Sequence, residues 1–183
     1  MQSGAVHPGG LVSSMKLKTL KRRAVLRLVN GILAGTHSFA AKRRLLCSIG
    51  YEIGAGTKIV GPLFCTGTLK IGADCWIGRG LTVHGNGLVC IGDRCDLAPD
   101  VTFLTGGHRI GGPERRAGQG ETYRITVGDG VWIGARSTVL RSVTLGSGCV
   151  IGACACVIRD IPPHTLAGGV PAAVMRELAH EDL

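Results

Sequence analysis

From Ile53 onward an aliphatic residue returns at every sixth position. The series runs Ile53, Ile59, Cys65, Ile71, Ile77 and Val83, resumes after two extra residues at Ile91, Leu97 and Phe103, and after a longer break continues through Val127, Ile133, Val139, Leu145, Ile151 and Val157. Glycine follows the anchor at 54, 72, 78, 92, 128, 134, 146 and 152, and small residues recur four places after it, as at Thr57, Cys75, Cys95, Ser137 and Cys149. A period of six fits neither a helix of 3.6 residues per turn nor a simple alternating strand. It fits short strands joined by tight corners in a coil that stacks on itself, three hexads to a triangular turn. Fifteen hexads therefore predict five coils, with the anchors filling the prism and stacking about 4.8 Å apart between coils. The small residues are expected to let the chain bend at the corners.

Ahead of the repeat, Leu17 to Leu33 reads as an amphipathic helix, with Leu17, Leu20, Ala24 and Leu28 on one stripe and Val25, Val29 and Ile32 beside it. Residues 1–15, rich in Gly and Ser, are expected to be disordered, and Met15 is an alternative start. The basic-then-apolar order of residues 16–40 imitates a secretory signal, but Arg27 and Asn30 interrupt the apolar stretch and Lys42, Arg43 and Arg44 oppose translocation. The chain divides into a basic arm and helix (1–50), the repeat (51–165) with a loop at 109–126, and a C-terminal segment (166–183) expected to hold a short helix.

Composition agrees with a narrow interior, since thirty glycines stand against seven aromatic residues in 183. The length suits one domain, and no apolar run approaches the roughly 20 residues needed to cross a bilayer. The net charge of +9 is located entirely in residues 1–50, which hold nine Lys and Arg and no Asp or Glu. Such a segment can meet anionic lipid, nucleic acid or an acidic partner, or it can be a solvated helix lying on the domain. Nucleic acid ranks last, because a binding motif and interleaved aromatics are both missing. The eight cysteines form no C-x-x-C pair, which points to free thiols in a reducing compartment. Cys65, Cys75, Cys95 and Cys149 fall at anchor or small positions and read as packing residues.

Three stretches stand out: Ile91-Gly-Asp-Arg-Cys-Asp-Leu-Ala-Pro-Asp-Val-Thr-Phe-Leu-Thr-Gly-Gly-His108, Val127-Gly-Asp-Gly-Val-Trp-Ile-Gly134, and Arg159-Asp-Ile-Pro-Pro163 followed by Ala167-Gly-Gly-Val-Pro171. They resemble segments of the hexapeptide-repeat acyltransferases, in particular the galactoside, maltose and nodulation O-acetyltransferases and the colanic-acid and capsule sugar acetyltransferases. The resemblance implies an all-β fold, a left-handed parallel β-helix of about five coils, with the basic helix before it and a short helix after it. The Tyr- and Asp-containing helical module of the maltose enzymes is not visible. Val170 and Ala173 stand where an Asn and a Lys are frequent, and the acceptor-binding Asn of galactoside enzymes falls near Gly78 to Gly80, where there is none.

By the same resemblance His108 is the general base of a direct acetyl transfer from acetyl-CoA to a hydroxyl of a sugar, glycan or glycosylated metabolite. A sugar alcohol is scarcely ionised at neutral pH, and histidine is the side chain poised to take its proton. The oxyanion donor would be the main-chain N–H of Ala135. The donor's contacts would come from Trp132, Ala135, Ala153, Arg159 and Arg176, and the acceptor's from His84, Arg115 and Tyr123. A homotrimer is implied, with the loop after His108 reaching a neighbouring subunit. No metal is expected, because His84 and His108 lack the closely spaced third histidine of the zinc enzymes of this fold. The alternatives are N-acetylation, xenobiotic or antibiotic acylation, and a scaffold without activity. A cytoplasmic location, peripheral at the inner membrane face where the basic helix meets lipid, accompanies the main reading.

Overall fold

The computed structural model describes residues 9–179; His7, His180 and the disorder expected for residues 1–8 lie outside them. Two helices, α1 (Gly9–Asn30) and α2 (Phe39–Cys47), precede the coil. The first coil comprises β1 (Glu52–Ile53), β2 (Lys58–Ile59) and β3 (Leu63–Cys65), and the second β4 (Thr68–Ile71), β5 (Trp76–Ile77) and β6 (Leu81–His84). The third is β7 (Leu88–Ile91), β8 (Asp96–Leu97) and β9 (Thr102–Leu104), after which the chain leaves as a hairpin, β10 (Gly106–Ile110) and β11 (Ala117–Thr122). The fourth is β12 (Arg124–Val127), β13 (Trp132–Ile133) and β14 (Thr138–Leu140), and the fifth β15 (Thr144–Leu145), β16 (Val150–Ile151) and β17 (Cys156–Val157). An incomplete sixth turn consists of the Ile161 bridge to Leu145 and β18 (Thr165–Gly169), on which β19 (Ala172–Glu177) folds back antiparallel.

Each face of the prism is a parallel sheet whose neighbours are consecutive coils: β1-β4-β7-β12-β15, β2-β5-β8-β13-β16-β18 and β3-β6-β9-β14-β17. The fold is the left-handed parallel β-helix. All the anchors are buried except the half-buried Cys65. The small residues at 57, 75, 95, 137 and 149 are buried as well, because each sits two places before the next anchor and so points inward with it. The bend itself falls one residue earlier, at left-handed positions such as Gly56, Asp74, Gly80, Arg94 and Arg136. The glycine after the anchor serves a different need, close approach between coils. A Cβ at Gly72 would lie 2.5 Å from the Gly92 carbonyl oxygen, and one at Gly134 2.5 Å from the Ala153 nitrogen.

Three expectations are corrected. Helix α1 starts at Gly9, within the stretch read as disordered, and its buried face is Val25 and Val29, while Leu17, Leu20 and Ile32 are exposed. The stripe of long apolar residues lies on the outer side of the helix, and the valines beside it face the coil. The loop of 109–126 is the β10–β11 hairpin, which begins before His108. No helix follows the coil among the described residues; the segment expected to form one is β19, whose backbone pairs with the edge of β18.

The helices close the first coil with side chains. Asn30 accepts from the Leu63 N–H and donates to the Leu63 carbonyl, both at 2.9 Å, mimicking a strand neighbour. Arg43 donates to the Ile53 carbonyl (3.0 Å), Arg22 to that of Cys65 (3.4 Å), and Lys42 to those of Gly35 (2.6 Å) and Val60 (3.1 Å). Lys42 is fully buried, with its ammonium 4.7 Å from the Phe39 ring centroid. Part of the N-terminal charge is therefore structural, satisfying carbonyls that would otherwise face no strand.

Candidate active site

Both interruptions of the six-residue period fall at the same corner of the prism, after the third strand of consecutive coils. The first lengthens the corner after β6 by two residues, placing Gly85, Asn86 and Gly87 beyond His84. The second, one coil later, is the hairpin. Stacked on each other, they wall an open cleft of about 530 Å³ lined by His84, Gly85, Asn86, Leu104, Gly106, Gly107, His108, Gly120, Glu121 and Thr122.

The two walls are tied together by Thr105, which is fully buried. Its Oγ1 donates to the His84 carbonyl (2.9 Å) and accepts from the Gly87 N–H (3.1 Å), while its backbone N–H also donates to His84 (2.8 Å). Gly87 has no room for a side chain, since a Cβ would lie 2.0 Å from the Tyr123 carbonyl oxygen.

His108 sits within β10, opposite Gly120 of β11, and its ring is exposed to the cleft. Its Nδ1 lies 2.8 Å from the Gly118 carbonyl oxygen. A carbonyl only accepts, so the proton of the neutral ring is held on Nδ1 and the lone pair is left on Nε2. Glu121 is held by Arg109 Nε at 2.6 Å and accepts from the Tyr123 hydroxyl at 3.1 Å. The Arg109 hydrogen bond, with that of Tyr123, keeps the Glu121 carboxyl below its ordinary range. Desolvation first, and then Glu121, raise the Tyr123 phenol.

The structure thus brings His84 and His108 to one cleft. Arg115 lies in the turn of the hairpin, where its N–H donates to the Gly112 carbonyl (3.2 Å), and Tyr123 stands behind Gly107; neither lines the cleft. Asn86 and Glu121 do line it and were missed as site residues. Asn86 lies within the two-residue interruption, and the position of that insertion at the same corner as the longer break is the signal that marks it.

The residues expected to hold the acyl donor lie on other parts of the coil surface. Trp132, 56% exposed, flanks a second groove of about 460 Å³ with Trp76, Asp96, Leu97, Ala98 and Pro99. Ala135 follows at the next corner and is stacked under Ala153, with the Cys154 N–H donating to the Ala135 carbonyl (2.8 Å). At the neighbouring corner, three equivalent amides are covered by a side chain from the next coil. Ala73 N–H donates to Asp93 Oδ1 (2.7 Å), Asp93 N–H to Asp129 Oδ1 (2.9 Å) and Asp129 N–H to Ser147 Oγ (3.2 Å). At Ala135 the covering residue is Ala153, which has no acceptor, and no described residue accepts from the Ala135 N–H. An unpaired amide beside an exposed indole suits an acyl thioester, so the residues present fit that group. Arg159 and Arg176 are exposed, after β17 and on β19, with Arg176 donating to the Glu177 carbonyl (3.2 Å). No group of three His, Cys, Asp or Glu able to hold a metal ion occurs among the described residues.

A coil of this kind, interrupted by a histidine-bearing hairpin, defines a class, and the comparisons with known proteins agree with it. The family model for bacterial transferase hexapeptide (six repeats) matches residues 124–159. Nodulation protein L of Rhizobium meliloti is 38% identical over 125 residues, 67% of this chain and 68% of that protein. Galactoside O-acetyltransferase of Escherichia coli is 34% identical over 114 residues, 62% of this chain. The match spans just over half of that enzyme's length, 56%. A hexapeptide-repeat acetyltransferase of Vibrio cholerae, solved with acetyl-coenzyme A, superposes with a TM-score of 0.77 at 25% identity, covering 91% of this chain and 90% of that one. The chain belongs to the hexapeptide-repeat acyltransferase family.

Proposed function

We propose that this protein is an acetyl-CoA-dependent O-acetyltransferase whose acceptor is a hydroxyl of a sugar, glycan or glycosylated metabolite. The observation that carries the reading is the Nδ1 hydrogen bond of His108 to Gly118, which leaves Nε2 as an acceptor in a cleft furnished with polar groups. The names of the relatives support it, a galactoside O-acetyltransferase among them, as does acetyl-coenzyme A bound to the Vibrio cholerae protein.

Acetyl-CoA, when bound, supplies an acyl carbon activated as a thioester. His108 Nε2 takes the acceptor's proton as its oxygen forms the new ester bond, and the proton then passes to the departing thiolate. Ala135 lies at a different corner of the coil from His108, so its N–H meets the oxygen on which negative charge develops where a neighbouring subunit of the proposed homotrimer brings the two together. Asn86, His84 and the Glu121 carboxylate offer the donors and acceptors that a polyhydroxylated acceptor needs. Trp132, Ala153, Arg159 and Arg176 are the proposed donor contacts. Arg115 and Tyr123 act on the acceptor only indirectly: Tyr123 through Glu121, and Arg115 from a hairpin end that would face a neighbouring subunit. The exposed hairpin residue Ile110, 89% accessible, supports a homotrimer in which that hairpin is covered. All eight cysteines are free thiols, which supports a reducing, cytoplasmic setting.

The test is incubation with labelled acetyl-CoA and a panel of sugars, glycans and glycosylated metabolites, with His108→Ala as the comparison. Transfer to a hydroxyl should be lost in the variant while donor binding persists. General-base catalysis is commonly worth about 10²–10⁴, so a variant within about tenfold of the parent kcat refutes the assignment.

A further inference from the structure

Helix α1 carries apolar residues on two sides. Val25 and Val29 are buried against the first coil, whereas Leu17 and Leu20 are 71% and 67% exposed. At 100° per residue Leu17, Leu20 and the exposed Ala24 share one stripe, with Lys21, whose Nζ donates to the Ser48 carbonyl (3.0 Å), on one border and Arg23 and Arg27 on the other. Arg22, Lys42 and Arg43 are engaged with the coil, but Arg23 and Arg27 are exposed and project from the outer side. Residues 1–50 contain no carboxylate side chain to neutralise them. A second copy of the chain would bring the same positive surface against this one. A nucleic acid would meet the charges and leave the leucines in water. An anionic lipid surface satisfies both, with headgroups opposite the basic borders and the acyl boundary receiving the leucines.

We propose that α1 is an interfacial helix that docks the protein on an anionic membrane surface. Among the described residues no helix is long and apolar enough to cross a membrane, and the proposed docking is by adsorption. The proposal stands apart from the transferase reading, and its test uses no acyl transfer.

Full-length protein is sedimented with vesicles of phosphatidylcholine alone and of phosphatidylcholine mixed with phosphatidylglycerol, at low and high salt. It should bind only the mixed vesicles and be released by salt. Leu17→Ser/Leu20→Ser and Arg23→Gln/Arg27→Gln should each lower the vesicle partition coefficient by at least about tenfold, with circular dichroism and thermal midpoint unchanged. Failure to bind mixed vesicles at low salt overturns the proposal. So does equal binding to phosphatidylcholine alone, or full binding by the leucine double variant. Capture of duplex DNA with vesicles ignored assigns the surface to nucleic acid instead, and overturns it equally.

Discussion

Placing an acceptor over the Ala135 amide should slow the proposed acetyl transfer without unfolding the protein. Along the neighbouring corner, Asp93 and Asp129 each accept the amide of the coil below at 2.7 and 2.9 Å, whereas the residues stacked at the Ala135 corner, Pro99 and Ala153 among them, carry no side-chain acceptor. Ala153→Asp copies one rung of that ladder at the Ala135 corner. A hydrogen bond to a charged group is worth about 1.5–3 kcal/mol, which must be given up before the amide can serve the reaction. Converted at 1.36 kcal/mol per decade, that is a fall of roughly 10- to 10²-fold in kcat/KM. Complete loss of an oxyanion donor, about 10²–10³, sets the upper limit. Ala153→Asn keeps the acceptor without the charge and should show a smaller fall, which separates occupation of the amide from repulsion of donor phosphates. The assay is steady-state acetyl transfer paired with thermal unfolding, in which the midpoint should hold or rise. An Ala153→Asp enzyme with unchanged kcat/KM and a raised midpoint would show that the amide is occupied and plays no part.

Thr105→Val removes the acceptor of the buried Gly87 N–H while the His84 carbonyl keeps its Thr105 N–H donor, so the cost is that of one orphaned amide, about 1–3 kcal/mol. At about 2–4 °C per kcal/mol for a chain of this size, a melting scan should show a clear drop together with a raised KM for acceptor only; no drop refutes the brace. Lys42→Met should destabilise by about 1–3 kcal/mol, because the Gly35 carbonyl loses its donor. Burial lowers the Lys42 pKa, so the unfolded chain holds more protons just below pH 10.5 and stability gains from this group as pH rises through that window. Denaturant titrations of parent and variant across it should therefore diverge, and parallel curves contradict the assignment. Replacing Cys65, Cys75, Cys95 and Cys149 by Ala or Ser should change stability more than turnover, burial having pushed the Cys149 thiol up to about 11. A burst of acetylated protein without acceptor would instead mark a covalent route.

The coil was legible because its signal is one-dimensional: an inward residue every sixth place survives any local irregularity, so Ile53 through Val157 could be placed without knowing a single contact. The bend was misplaced by one residue, since Cys75 or Ser137 looks like a corner by size alone and only the inward direction of its Cβ shows otherwise. The site was half legible. His108 announced itself through its motif, but the partnership of Asn86, Thr105 and Glu121 depends on two interruptions landing on one edge, which requires counting strands as well as residues. Which side of helix α1 faces the coil was not legible, because Leu17 and Leu20 carry the larger apolar surface whereas burial chose the smaller Val25 and Val29, and β19 was misread because nothing in Ala172–Glu177 distinguishes a helix from a strand that finds an open edge.

A rung repeated every eighteen residues contains no instruction to stop, and both ends of such a column are templates for another copy. Here the instruction is written outside the repeat. At one end, four side chains of the helical segment occupy the carbonyls of the first rung, and at the other a strand runs the wrong way against β18. The length of the column is thus set by its punctuation. Loss of either mark would leave the His108 corner intact on a molecule free to join others end to end, so the first symptom of damage there would be polymerisation of a chain whose cleft is unchanged.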